Sequence, residues 1–194
     1  MTEQTDAPTE RERSAERTAE SDTLQSDAAA MYAVLAECWR EPSHRLVKAV
    51  EAGELEPVFG DLDSVDLKSL RTEHTRLFIG PAGPPCPPYE SVYRDRNDPD
   101  ELGPVKGPAT MAVTRWYREF GVQPAQDHPD LPDHIATELE FAAYLSEEGL
   151  DERLDQFCDE HLNAWTGEFL GLVEDETCEQ FYESLAATTR EVLG

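Results

Sequence analysis

Apolar residues recur at steps of three and four along most of the chain, which is the period of an amphipathic helix. The stripes lie at about 24–39, 43–53, 67–78, 109–121, 133–149, 154–172 and 181–192, the sixth as one long helix. Pro42, Gly53 and Gly149 follow such stripes, and these residue types end helices. No segment alternates with the period of a half-buried strand. The pattern predicts an all-α fold, a single-domain bundle of six or seven helices.

The first segment that departs from this pattern is the N-terminus. Residues 1–22 are polar, rich in Thr, Glu, Arg and Ala, and almost free of large apolar side chains. Such a segment cannot offset its ordering entropy by burial. We expect residues 1–22 to be a disordered or frayed acidic tail, followed by one helical domain over residues 23–194.

The second departure is a long Pro/Gly-rich loop at residues 79–108. It holds eight of the 14 prolines and four of the 11 glycines, so no helix is expected to cross it. A loop of about 30 residues is usually functional or disordered. Because residues 89–93 include Tyr89 and Tyr93, we expect the loop to be ordered against the helices.

The charge is strongly negative. The 194 residues contain 42 Asp and Glu against 16 Lys and Arg, a formal net charge of −26 with a pI near 4.3. This charge excludes a duplex nucleic-acid binder that neutralises phosphates, and it disfavours anionic membranes. Excess carboxylate with only three lysines is typical of a halophile's hydrated surface. A site for a cationic ligand is the alternative, and the two are compatible.

The cysteines and the hydropathy indicate a cytoplasmic protein. The four cysteines form no CxxC pair, and no secretory signal or run of 18 apolar residues is present. We therefore expect no disulfide framework and no direct membrane insertion.

No motif of catalysis or cofactor binding is present. The chain lacks HExxH, GxSxG and a phosphate loop, so we expect no enzyme activity, no cofactor and no metal. One alternative is a metalloprotein that uses His128, Asp133 and His134, although their spacing matches no known ligand pattern.

Asp133 and His134 open a predicted helix, with Glu138 one turn beyond His134. One interpretation is capping, with Asp130 at the N-cap and acids that complement the helix dipole. The other is a polar site whose carboxylates meet a cation, beside tyrosines that offer ring surface and a hydroxyl to a peptide. The residues alone leave both open.

Three motifs occur in order: EHTRLF at 73–78, PPYESVY at 87–93, and PDHI at 132–135 followed by ELEF at 138–141. In this order the chain resembles the TorD/DmsD family of redox-enzyme maturation chaperones, to which NarJ is related. The resemblance spans about residues 24–193. One departure is His74, where the family often has an aromatic residue.

The resemblance implies an all-helical chaperone that binds the twin-arginine signal peptide and the apo-form of a molybdopterin oxidoreductase of the DMSO, TMAO or nitrate reductase type. Such chaperones assist cofactor insertion and delay export. The implied peptide-binding residues are Leu77, Phe78, Pro88, Tyr89, Ser91, Tyr93, Asp133 and His134, and Glu138 is added for its one-turn spacing from His134.

We therefore expect a cytoplasmic chaperone, monomeric or homodimeric, whose partner is a twin-arginine leader on an apo-reductase. The alternatives are a general helical peptide-binding adaptor and the His/Asp metalloprotein. A change from twin arginine to twin lysine in the leader separates the first alternative, because only a leader-specific receptor should lose binding.

Overall fold

The computed structural model describes residues 10–62, 64–80, 83–123 and 130–194. These residues form ten α-helices, and their only β-type pairing is an isolated bridge between Tyr89 and His134. The helices are α1 Glu10–Cys38, α2 His44–Glu51, α3 Glu56–Phe59, α4 Leu67–His74, α5 Glu90–Arg94, α6 Pro108–Glu119, α7 Ile135–Glu147, α8 Asp151–Glu160, α9 Thr166–Glu176 and α10 Gln180–Leu193.

The all-α prediction is confirmed, and three features raise the helix number above seven in the described residues. The short helix α3 was not expected, and the helix α5 lies inside the Pro/Gly-rich loop. The third feature is a break in the segment at 154–172, which was predicted to be one long helix and is divided between α8 and α9. The helix α1 begins at Glu10 and so includes part of the predicted tail, while residues 1–9 lie outside the described residues.

A tertiary contact accompanies the break between α8 and α9. The guanidinium of Arg94 donates to the carbonyl of Glu160 at 2.7 Å. The amide of Ala164 bonds the carbonyl of His161 instead, in a short 3₁₀ turn at Leu162–Ala164. Residues on both sides keep their apolar stripe toward the core, which is why the sequence pattern reads as continuous.

Aromatic side chains fill the core in two groups. Trp39, at the end of α1, packs against Phe169 with ring centroids 5.0 Å apart and against Phe78 at 6.0 Å. Its indole N–H donates to the Thr189 hydroxyl, so this buried polar atom is satisfied. The second group surrounds Trp116 and joins α6 to α7 and α8. The main helix–helix packing is between α1 and α7 and between α9 and α10.

The described part of the Pro/Gly-rich loop is ordered against the body, as expected. Its backbone is held by Cys86 N–H donating to the Leu77 carbonyl at 3.0 Å and Gly103 N–H donating to the Val92 carbonyl at 2.8 Å. A side chain at Gly107 would collide with the Asp95 carboxylate, which accepts from the Ala109 amide. These contacts fix α5 in place.

All four cysteines are free, and Cys178 alone is exposed. Within the described ranges, no helix is long and apolar enough to cross a bilayer.

Candidate functional site

A π-helical turn ends α4 and aims two apolar side chains in different directions. It spans Thr75–Ile79, and Gly80 N–H closes it on the Thr75 carbonyl at 2.9 Å. The turn buries Phe78 and leaves Ile79 59% exposed. Single π turns of this kind are frequent at functional sites. Here the turn places an aromatic ring and an exposed aliphatic side chain at one rim.

The loop before α5 is attached to the start of α7 by two backbone hydrogen bonds. Glu90 N–H donates to the Asp133 carbonyl at 2.9 Å, and Ile135 N–H donates to the Pro88 carbonyl at 3.0 Å. This short bridge sets the Tyr89 ring edge-on against the His134 ring, with centroids 5.2 Å apart. Residues distant in sequence thereby become neighbours.

These elements line a partly open cavity of about 360 Å³ whose lining includes both apolar and polar residues. The end of α1 and the turn that follows it contribute to the lining together with the π-helical turn, the loop and the start of α7. The apolar lining residues are Trp39, Phe78, Ile79, Pro88 and Tyr89, and the polar ones are Glu37, Arg40, Glu41, Ser43, His74, Asp130 and His134. We call this cavity the α1–α7 pocket.

Three carboxylates and one guanidinium give the α1–α7 pocket a net negative charge. Glu37 and Glu41 are exposed, and the side chain of Asp130 is 29% exposed. Arg40 contacts Asp130 at 3.3 Å and Glu140, just outside the pocket, at 2.9 Å. Carboxylates next to an apolar wall suit a ligand that carries cationic groups beside an apolar segment.

Burial favours the neutral form of both histidines of the pocket. Burial lowers the pKa of His74, and burial lowers the pKa of His134 to about 4. The neutral Nδ1 of His134 accepts from the Ala136 amide at 3.2 Å, so His134 is the N-cap of α7. The expected N-cap, Asp130, pairs with Arg40 instead. The negative charge of the pocket is therefore not offset by imidazolium.

The cap predicts a pH effect on stability. Because the folded-state pKa of His134 lies below the unfolded value near 6.5, its contribution is lost as the pH falls from about 6.5 toward 4. Asparagine caps helices without titrating. We expect His134→Asn to lose less unfolding free energy than the wild type between about pH 7 and pH 5 in urea titrations. An equal loss in both proteins would contradict a neutral cap.

The pocket brings together four of the nine residues expected at the site: Phe78, Pro88, Tyr89 and His134. The others lie behind its wall. Leu77 is fully buried, and Tyr93 stacks on Trp165 with centroids 5.4 Å apart.

Ser91 and Asp133 hold the loop to the bundle. The Ser91 amide donates to Asp133 Oδ2 at 3.1 Å, and the Ser91 hydroxyl accepts from the Lys106 amide at 3.2 Å. Asp133 has no exposed surface. Its carboxylate therefore positions the loop, and the structure does not place it on the pocket surface.

Glu138 is also fully buried, within a polar cluster behind the pocket. Its Oε2 accepts from the Trp165 indole at 3.1 Å. The neighbouring Glu90 is buried too, and its carboxylate accepts from the His161 Nδ1 at 3.0 Å and pairs with Arg94. Burial, followed by the nearby Glu90, raises the pKa of Glu138 well above its usual value. Glu138 therefore favours its protonated form and does not present a charge to a ligand.

Sequence reasoning did not single out the accessible acids as ligand contacts. Asp130 was expected only as an N-cap, and Glu41 is one of 42 acidic residues that no local pattern marks. Their common neighbour Arg40 follows the apolar stripe of α1, which is a weak signal at best.

No group of three or more potential ligands lies close enough to hold a metal ion among the residues whose positions are described. The alternative of a His/Asp metal site also used His128, which lies outside those residues.

Several known proteins are similar to this chain in sequence and fold. The chain matches the family described as nitrate reductase delta subunit over residues 21–171. It is 33% identical over 145 residues to the Tat proofreading chaperone DmsD of Salmonella paratyphi A, covering 75% of this chain and 69% of that protein. It is 35% identical over 91 residues to the selenate reductase assembly chaperone protein of Thauera selenatis, covering 41% and 46%.

A solved structure agrees. A crystal structure from Archaeoglobus fulgidus, described as that of a redox enzyme maturation protein, superposes with a TM-score of 0.61 at 26% identity. The match covers 84% of this chain and 92% of that one.

The fold and these relatives define a helical chaperone and not an enzyme, which confirms the expected class. The chain belongs to the nitrate reductase delta subunit family.

Proposed function

We propose that the α1–α7 pocket binds the twin-arginine leader of a molybdopterin-dependent reductase. The observation that carries the proposal is that accessible carboxylates and apolar side chains line the same pocket. Glu41 and Asp130 stand beside Phe78, Ile79 and Tyr89. A twin-arginine leader presents two guanidinium groups followed by an apolar segment, so its two halves match the two kinds of residue that line the pocket.

The names of the relatives support this role. DmsD is a Tat proofreading chaperone, and other relatives are assembly chaperones of selenate and chlorate reductases. By analogy, this protein holds an apo-reductase in the cytoplasm, assists insertion of its cofactor and delays its export. The monomeric or homodimeric state stays a prediction.

The test is a calorimetric titration with the twin-arginine leader of a candidate reductase and with a twin-lysine control, in potassium chloride. We expect saturable binding that the lysine change weakens about tenfold or more, because ammonium lacks the bidentate fork of guanidinium. Equal binding of both peptides would favour the general adaptor. No binding to any reductase leader would contradict the proposal.

A further inference from the structure

The α1–α7 pocket already contains an arginine. Arg40 lies in the turn between α1 and α2, and its side chain is only 9% exposed. Its guanidinium contacts two carboxylates of another part of the chain, Asp130 before α7 and Glu140 within α7. A buried guanidinium in a pocket that suits guanidinium ligands is therefore a competitor for the same acceptors.

The two contacts of Arg40 are unequal. Its Nη1 lies 2.9 Å from Glu140 Oε1, a normal charge-assisted distance. Its Nε reaches Asp130 Oδ2 at 3.3 Å, a single long contact that leaves Asp130 without a bidentate partner. Asp130 is thus held weakly, while Glu140 anchors Arg40 from outside the pocket.

We propose that leader recognition is an exchange of arginines on Asp130, in which a leader guanidinium displaces the Nε of Arg40 while Arg40 keeps Glu140. This inference rests on the proposed function of the pocket. It assigns Arg40 as an internal competitor of the leader and Asp130 as the acceptor of one leader arginine.

The exchange explains how the pocket distinguishes cations. A guanidinium forms two parallel bonds with a carboxylate and so gains more than the single Nε contact that it replaces. An ammonium is a point charge without that fork. The positive charge that Arg40 retains also repels any incoming cation at contact range. This repulsion lowers the affinity of the pocket for every cationic ligand, so weakly binding cations are held least.

The test compares the wild type with Arg40→Gln by calorimetry, using the twin-arginine and twin-lysine leaders. Arg190→Gln is the matched control, because it removes one guanidinium paired with Glu174 on the surface, 2.8 Å apart. We expect Arg40→Gln to bind the twin-arginine leader about threefold to tenfold more tightly. We also expect the preference for arginine over lysine to persist, because the guanidinium fork acts on Asp130 in both proteins, and the control to match the wild type.

Weaker binding by Arg40→Gln, with unchanged helicity, would show that Arg40 only holds Asp130 in place and would overturn the exchange. A wild type that binds no leader would refute the proposed function itself and the exchange with it. If Arg40→Gln fails to fold, the NMR resonance of the Arg40 Nε–H group in the wild type tests the exchange instead. It should shift on leader addition while that of Arg190 does not, and an unchanged Arg40 signal would overturn the exchange.

Discussion

Replacing Glu90 by alanine is expected to lower the free energy of unfolding by about 3 kcal/mol. The change leaves the buried ring of His161 without its carboxylate partner and opens a cavity beside Glu138. The Arg94 side chain is 38% exposed, so its guanidinium can be hydrated once Glu90 is gone. The loss of unfolding free energy should therefore lie at the lower end of the range for a broken buried ion pair. Urea unfolding at constant salt, followed by circular dichroism, measures the loss.

The matched control for this prediction is Glu138→Gln. Because burial favours the protonated form of Glu138, a neutral amide of the same shape replaces it at little cost, within about 1 kcal/mol. The amide oxygen can still accept from the Trp165 indole. A loss equal to that of Glu90→Ala would contradict the assignment of different roles to the two glutamates.

The stability difference between Glu138→Gln and the wild type should depend on pH. The raised folded-state pKa of Glu138 means that the wild type binds this proton more tightly when folded. Its stabilising effect is present below the unfolded pKa, near 4.3, and is lost as the pH rises toward the folded value. The Gln variant lacks this loss, so its stability relative to the wild type should increase with pH above about 4.3.

Neutralising Glu41 and Asp130, two of the three pocket acids, is expected to weaken leader binding about 100-fold or more. Each of Glu41→Gln and Asp130→Asn removes a charge-assisted contact worth about 1.5–3 kcal/mol, so the double variant loses two such contacts. Neither side chain is buried, so the fold should be unchanged. Calorimetric titration with the twin-arginine leader measures the effect.

The control is the double variant Glu101→Gln and Glu152→Gln, which changes the net charge by the same amount. Both residues are exposed acids that do not line the pocket, so this control separates the effect of pocket contacts from the effect of net charge. With 42 acidic residues in the chain, the loss of two of them elsewhere should change affinity by less than about twofold. Comparable losses in both double variants would mean that the overall field, and not the pocket, attracts the leader.

The helical segments could be predicted because their signal is local. The stripe on α1 and that on α10 have the helical period, and the buried Leu35 and Leu185 lie on the predicted faces. The break between α8 and α9 was not predicted, because the apolar stripe continues across it and the contact of Arg94 with the Glu160 carbonyl joins distant parts of the chain. No residue near the break announces it.

The site was predictable in part for a similar reason. The aromatic residues Phe78 and Tyr89 belong to motifs that the resemblance marks, and both line the pocket. Burial of a carboxylate depends on the whole fold, so helix position alone did not reveal that Asp133 and Glu138 are enclosed. Asp130 meets Arg40 only when α7 packs on α1, a contact between distant parts of the chain.

The halophilic origin suggested by the net charge of −26 stays a prediction, because neither the fold nor the relatives test it.

The most direct test of the central claim is to locate the leader on the protein. A leader with a photoreactive residue next to its arginine pair would be cross-linked and the adduct mapped by mass spectrometry. The account predicts adducts at the rim of the α1–α7 pocket, at Glu41, Ile79 or Tyr89. Adducts confined to another surface, such as the cavity between α6 and α8 at Arg115 and Asp159, would contradict it.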